Sequence, residues 1–205
     1  YVCDDPKYIK KQTIFNGTIC RPKMVNQICE YKPRTDMILN YLYKYFDEGR
    51  TILILSERRQ HLIDMMETIN EHYKSEVSGL YIGGIHPEVL EHNATLRVIL
   101  GTYSFFSEGA DIPSLDTVIL SSPVGSVEQA VGRIFRKYGE HHKLICDIID
   151  ENIPCFEKQS LKRISLYKQK KYELYENDNV EKEEYKKRNY KSKKDKEVPV
   201  YQQAC

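Results

Sequence analysis

Several absences narrow what this chain can do. No stretch approaches the ~18–20 consecutive apolar residues that a membrane-spanning helix requires, so no membrane partner is expected. The six cysteines, Cys3, Cys20, Cys29, Cys146, Cys155 and Cys205, include no Cys-x-x-Cys pair. Zinc sites usually rest on such close pairs, so no metal site is expected. The start, Tyr1-Val2-Cys3-Asp4-Asp5, has neither an initiator Met nor a basic-then-apolar leader. The expectation is a piece of a longer intracellular protein whose thiols are reduced. No Gly-x-x-x-x-Gly-Lys-Ser/Thr occurs, so no glycine-rich loop can cradle β- and γ-phosphates. No Asp-Glu-x-His or Asp-Glu-x-Asp tetrad is present to hold Mg²⁺, and no internal repeat is visible.

What is present suffices for one compact domain with an appendage: 205 residues, of which 40% are hydrophobic and 30% charged. The formal net charge of +1 hides an uneven distribution. Lys158–Glu197 holds 14 Lys and Arg against 8 Asp and Glu, net +6, and the remainder is net −5. A basic segment on an acidic body can act as an electrostatic arm for nucleic acid, or can simply be a solvated terminal helix and tail.

Periodicity gives the organisation. Thr51-Ile-Leu-Ile-Leu-Ser56 is a continuous apolar run, the mark of a strand buried on both faces. Thr35–Glu48 before it carries Ile38, Leu39, Leu42, Tyr45 and Phe46 at helical spacing, and Gly49 supplies the stop. Leu62, Met65, Met66 and Ile69 mark a second helix. Further strands are expected at Leu80–Ile82, Leu96–Gly101, Thr117–Leu120 and Leu144–Ile149, with a helix over Val127–Arg136. Alternating strands and helices read as βαβ units around a parallel sheet, with chemistry at the strands' carboxyl ends. Residues 1–34 read as a linker or the edge of a preceding domain, and 35–153 as the α/β domain. The segment 154–176 reads as one long basic helix. The tail 177–205, poor in aliphatics, reads as disordered or a mobile helix.

Two segments carry chemistry. In Gln129-Ala-Val-Gly132-Arg133-Ile-Phe-Arg136 the two arginines are three apart, so both guanidiniums leave one helical face. Forked cations suit a polyphosphate, and Gly132 leaves room for another surface to approach. The bland alternative is a pair of surface salt-bridge residues. The second segment, Gly101-Thr-Tyr-Ser-Phe-Phe-Ser-Glu-Gly109-Ala-Asp111-Ile-Pro113, reads as a loop after a buried strand. Thr102 there offers a hydroxyl to phosphate and Asp111 a carboxylate to a sugar hydroxyl. An ordinary turn is the competing reading. His86, His92, His141 and His142 lack the spacing of a metal or acid–base site. The tyrosines among the lysines of 167–190 could stack on bases or pack on the domain.

The order Ser56-Glu-Arg-Arg, Gly83-Gly84, Gly101-Thr-x6-Gly109-x-Asp111-Ile-Pro, Gln129-x-x-Gly132-Arg133-x-x-Arg136 resembles motifs IV, V and VI of superfamily 2 helicases. The likeness covers Thr35 to Ile149 and is strongest to helicases of large cytoplasmic DNA viruses and phages, of the poxvirus transcript-release and XPB types. It implies a RecA-like three-layer α/β domain with a mostly parallel sheet, the second of two in the motor, followed by a basic C-terminal helix and tail. Arg133 and Arg136 match the arginine fingers that reach the γ-phosphate across the interdomain cleft. Glu108, Gly109, Asp111 and Gln129 match nucleotide-side positions. Ser56, Arg58, Gly83, Thr102 and Tyr103 match positions facing the nucleic-acid backbone, where contacts carry no base specificity. The cofactor implied is ATP with Mg²⁺, the metal being held by a first RecA-like domain of the same polypeptide. That domain would also carry the missing phosphate-binding motifs, so this chain alone is expected to be inactive. Nucleic acid is the implied partner, DNA ahead of RNA, in an intracellular setting that is cytoplasmic if the source is viral. One departure is the stretch Gly84–Leu96, nearly free of basic residues where relatives often carry several.

Two rivals predict other features. A helicase-like binding module with a dead motor has no need of Gln129, Arg133 and Arg136. An unrelated doubly wound transferase predicts a Gly-rich loop after the first strand, which Ser56-Glu-Arg-Arg does not resemble.

Overall fold

The computed structural model describes residues 1–109, 112, 115–134 and 141–175, together with 190–191 and 197–198. Five strands form one parallel sheet: β1 (Ile52–Ser56), β2 (Ser78–Tyr81), β3 (Val98–Thr102), β4 (Thr117–Leu120) and β5 (Leu144–Asp147), in spatial order β2-β3-β1-β4-β5. The expected strands are all present, with no end moved by more than two residues. Every residue of β1 is buried, because the strand is central and covered on both faces.

The alternation along β1 divides the core. Ile52 and Ile54 pack with α3 (Lys32–Asp47) and α4 (Arg59–Tyr73), through Ile38, Leu42, Leu62 and Met65. Leu53 and Leu55 face the opposite layer, which contains α6 (Tyr103–Gly109), α7 (Glu128–Ile134) and α8 (Pro154–Gln169). Phe106, Val127, Val131 and Tyr167 fill that side. The result is helix, sheet, helix: the three-layer α/β architecture expected of a RecA-like domain.

Local chemistry sets the helix ends. α1 (Pro6–Ile9), α2 (Arg21–Glu30), α3, α5 (Pro87–Asn93) and α8 each carry Pro at the first or second position, where a missing N–H costs nothing. At the start of α1, Asp5 accepts a hydrogen bond from the Lys7 N–H at 2.8 Å. The stop expected after α3 is Gly49, with φ at +87°.

Three segments differ from the sequence expectation. Residues 1–34, expected as a linker or an edge, pack onto the domain: Tyr8, Met24, Val25 and Ile28 form a cluster with Ile153 and Phe156. The segment after β3, expected as a loop, is the helix α6, because Tyr103 and Phe106 present apolar rings to the core one turn apart. The basic helix ends at Gln169 rather than near Glu176, and Lys171 follows with φ at +58°. Its buried face is Phe156, Ser160, Arg163 and Tyr167, whereas Leu161 is exposed. Most of the segment 177–205 lies outside the described residues.

Two buried ion pairs tie the termini to the sheet. Arg34 on α3 forks onto Asp150, Nε to Oδ1 at 2.7 Å and Nη2 to Oδ2 at 3.0 Å, and Tyr8 also donates to that carboxylate. Arg163 on α8 forks onto Asp147 with both distances 2.8 Å, and the Tyr167 hydroxyl adds a third bond at 3.0 Å. Burial opposes the charge on each arginine, but the facing carboxylate outweighs it and holds both guanidinium pKa values above the usual range. Removing one member of such a pair strands a buried charge, which costs about 3–5 kcal/mol. Arg34→Met is therefore expected to lower the unfolding free energy by ~3–5 kcal/mol, measured by urea denaturation. An unchanged midpoint would show that Asp150 does not depend on Arg34.

Candidate nucleic-acid groove and nucleotide-facing edge

The carboxyl ends of β1, β2 and β3 define one edge. Ser56 stands in register with Thr102, and Tyr81 with Gly101. A groove of about 580 Å³ opens there, lined by Arg58, Arg59, Gly83, Thr102, Ser104 and Phe105 among others. Gly84, with φ at +83°, closes the turn beside it in a conformation that favours glycine. At Gly101 a Cβ would stand 3.1 Å from the Tyr81 carbonyl oxygen, so glycine keeps β2 and β3 close at this edge.

Of the five residues expected to face nucleic acid, Arg58, Gly83, Thr102 and Tyr103 line this groove, but the side chains differ in availability. The Tyr103 hydroxyl turns inward and donates to the Ser122 carbonyl at 2.8 Å, with its pKa raised first by burial. Ser56 is fully buried. Neither side chain is presented to the groove's solvent, because each satisfies a buried polar partner. The Arg58 guanidinium is held by Asn26 through Nε and by the Pro22 carbonyl at 3.0 Å through Nη2. Arg59 beside it is exposed, a groove cation that sequence reading quoted but did not select.

Beneath the groove a chain of neutral donors fixes the strand end. The Arg58 N–H donates to Ser56 Oγ at 3.1 Å, and Ser56 Oγ meets His61 Nδ1 at 3.3 Å. His61 Nε2 meets Thr35 Oγ1 at 3.2 Å, and that hydroxyl donates to the Cys29 carbonyl. With Thr35 donating onward, His61 gives its one proton to Thr35 and accepts from Ser56. A second proton, on Nδ1, would displace the Ser56 hydroxyl proton from this contact. Burial, then the Arg34 charge, push the His61 pKa down to about 3.

Four successive carbonyls leave β4 toward α7, and each accepts from a different helix. Ser121 O takes Arg34 Nη1 at 2.6 Å, and Ser122 O takes Tyr103. Pro123 O takes Arg21 Nη2 at 3.0 Å, and Val124 O takes Arg163 Nη1. Ser121 Oγ donates to the Leu55 carbonyl at 2.8 Å, and the Glu57 N–H donates to Ser122 Oγ at 2.8 Å. None of Arg21, Arg34, Arg163 or His61 was selected from sequence. An arginine on an amphipathic helix reads as a surface residue until its partner is known.

Helix α7 follows this loop and packs against α6. Gln129 is exposed on it, and Gly132 is exposed with open space where a Cβ would stand. Glu108 and Gly109 end α6. Arg133 lies on α7, but its side chain is outside the described residues, as are Asp111 and Arg136 altogether. Among the described residues, no three His, Cys, Asp or Glu gather as metal ligands.

The depressed His61 pKa has a consequence for stability. The unfolded chain takes up this proton near pH 6.5 and the folded chain only near 3. Its contribution is therefore complete above pH 6.5 and is lost as pH falls from there toward 3, at up to ~1.4 kcal/mol per pH unit. His61→Gln should flatten the fall in stability between pH 6.5 and 5 relative to the parent. Parallel pH profiles for the two proteins would remove His61 as the source.

No family model matches the chain. It is 36% identical over 169 residues to a protein of Acanthamoeba polyphaga mimivirus named as an ATP-dependent RNA helicase, covering 80% of this chain and 33% of that protein. It is 27% identical over 144 residues to the transcript termination protein A18 of vaccinia virus, covering 65% of this chain and 27% of the relative. The chain thus spans between about a quarter and a third of the length of these relatives. Among solved structures, T4 UvsW superposes with a TM-score of 0.63 at 19% identity, over 80% of this chain and 36% of that one. The Sulfolobus solfataricus SWI2/SNF2 ATPase core superposes with a TM-score of 0.54 at 16% identity, over 73% and 35% respectively. The chain is therefore a homologue of part of these two viral proteins and shares its three-layer α/β fold, the RecA-like one, with T4 UvsW and the SWI2/SNF2 ATPase core.

Proposed function

We propose that the chain is the second RecA-like domain of an ATP-dependent helicase or translocase, supplying arginine fingers and part of the nucleic-acid surface. The observation that carries this reading is the shared sheet edge. The groove with Gly83 and Thr102, and the loop leading to α7 with Gln129, leave the carboxyl edge of one sheet, β2 and β3 on one side of β1 and β4 on the other. Ligands of open α/β sheets bind at such edges.

In this mechanism the groove grips the sugar–phosphate backbone. Exposed Arg59 supplies a cation, Thr102 a hydroxyl, and Gly83 close approach, while Arg58 acts chiefly to hold α2 against the groove. Contacts of this kind do not read bases. On the other side Gln129, Glu108, Gly109 and Asp111 meet the nucleotide, and Arg133 and Arg136 bring positive charge to the γ-phosphate as the domains close. ATP, bound with Mg²⁺ by a first domain, supplies the phosphoryl group whose transfer drives each step. The chain by itself, lacking the phosphate-gripping and Asp-Glu motifs, is proposed to have no turnover. An intracellular setting, cytoplasmic for a viral protein, is part of the same proposal, and the kinship with the two viral proteins supports it.

A finger acts on charge that develops in the transition state, so its loss belongs in kcat more than in affinity. In the complete motor, Arg136→Ala should reduce steady-state ATP turnover by roughly 10³-fold or more with nucleotide affinity nearly unchanged. An unaltered kcat would refute the finger. DNA and RNA, each supplied at saturation, identify the track by which one stimulates. A parent that binds nucleic acid yet never hydrolyses ATP would favour the binding-module reading.

A further inference from the structure

Of the four side chains that clamp Ser121–Val124, Arg21 differs from the rest. Arg34 and Arg163 are buried in ion pairs and Tyr103 is buried in the core, so each is tied to the stability of the fold. The Arg21 side chain is 37% exposed, and a pair so open to water adds little stability. Yet its guanidinium joins three elements. Nη1 and Nη2 fork onto Glu57 at 2.9 and 2.7 Å, and Nη2 also donates to the Pro123 carbonyl at 3.0 Å. The Gln159 amide on α8 lies beside the guanidinium, and with its oxygen facing Arg21 it would accept from Nε at 3.0 Å.

Glu57 is a groove residue, between Ser56 at the end of β1 and Arg58. Pro123 stands in the loop that enters α7 a few residues later. Arg21 therefore bridges the loop that borders the groove to the loop that aims the helix. The bridge does not act alone, since the Glu57 N–H to Ser122 Oγ bond runs parallel to it. A fork fixes both distance and angle, so a shift of Glu57 is passed to Pro123 rather than absorbed.

We propose that Arg21 is a positioning residue that couples occupancy of the groove to the placement of α7. The inference rests on the proposed motor function: nucleic acid moving the Glu57 loop would move Pro123, and with it the helix that carries Arg133. A coupling between two sites is a free energy, defined by how one ligand changes affinity for the other, and the stimulation of turnover by nucleic acid is its kinetic counterpart here. Arg21 touches neither ligand in this arrangement, so its removal should change the ratio and leave each site's own properties in place.

The test uses the complete motor with Arg21→Met and Arg21→Lys. Four quantities are measured: ATP turnover without nucleic acid, turnover at saturating nucleic acid, nucleic-acid affinity at fixed salt, and melting temperature. In Arg21→Met the stimulation by nucleic acid should fall about 5-fold or more, the size of an ordinary coupling. Unstimulated turnover should match the parent's, and melting temperature should fall by only about 2–4 °C, the effect of one carbonyl left without its partner. Arg21→Lys, able to reach one partner but not to fork, should fall between the two. Stimulation equal to the parent's in Arg21→Met overturns the proposal. So does a parallel loss of unstimulated turnover and melting temperature, which marks a structural role. If Arg21→Met does not fold, Arg21→Lys decides: parental stimulation refutes the coupling and reduced stimulation with unchanged basal turnover upholds it. A parent that hydrolyses no ATP, or is not stimulated by nucleic acid, defeats the functional reading itself, an outcome separate from any difference between variants.

Discussion

The carbonyls of Ser121–Val124 leave the sheet into the body of the protein, where a polar group without a partner is costly, and the architecture around them supplies those partners. Four helices converge on four consecutive oxygens: α2 with Arg21, α3 with Arg34, α6 with Tyr103 and α8 with Arg163. A loop held at every carbonyl has few alternative positions. Helix α7 begins just beyond it and takes its direction from that constraint.

The same requirement explains why the domain extends past its five strands in both directions. Arg34 and Arg163 could not lie in the interior without Asp150 and Asp147, and those carboxylates accept further bonds from Tyr8 and Tyr167. Each pair thus joins a helix outside the βαβ core to the stretch that leaves β5. Buried pairs of this kind do not add stability over well-packed apolar residues, but they punish any arrangement that separates them. Here they fix where α1, α3 and α8 dock relative to the carboxyl edge.

Division of labour follows from this geometry. The groove at β1, β2 and β3 has the exposed cation Arg59, the hydroxyl of Thr102 and glycine turns, chemistry suited to a phosphate backbone. Behind it, the relay from Arg58 through Ser56 and His61 to Thr35 is neutral and buried, so the strand end is held without adding charge to the groove. The groove and helix α7 share an edge but not side chains, and the Ser121–Val124 loop lies between them.

The strands, the α3 and α4 helices and the parallel sheet were legible because burial imposes a period on a sequence. Ile52–Leu55 is apolar throughout as a strand covered on both faces must be, and Ile38, Leu42 and Phe46 repeat as one helical face must. The place of Gly83 and Thr102 at strand ends was legible too, because each closes an apolar run. Three features could not be read. Residues 103–109 looked like a loop because their apolar pair is too short a pattern to announce a helix. Residues 1–34 looked peripheral because their partners, Ile153 and Phe156, lie more than a hundred residues away. The arginines of the clamp carried no signal because a charged residue on a helix is exposed or buried according to the carboxylate or carbonyl that meets it. Local periodicity is a property of the chain, whereas the meeting of Arg34 with Asp150 or Arg21 with Pro123 exists only once the sheet has brought distant segments together.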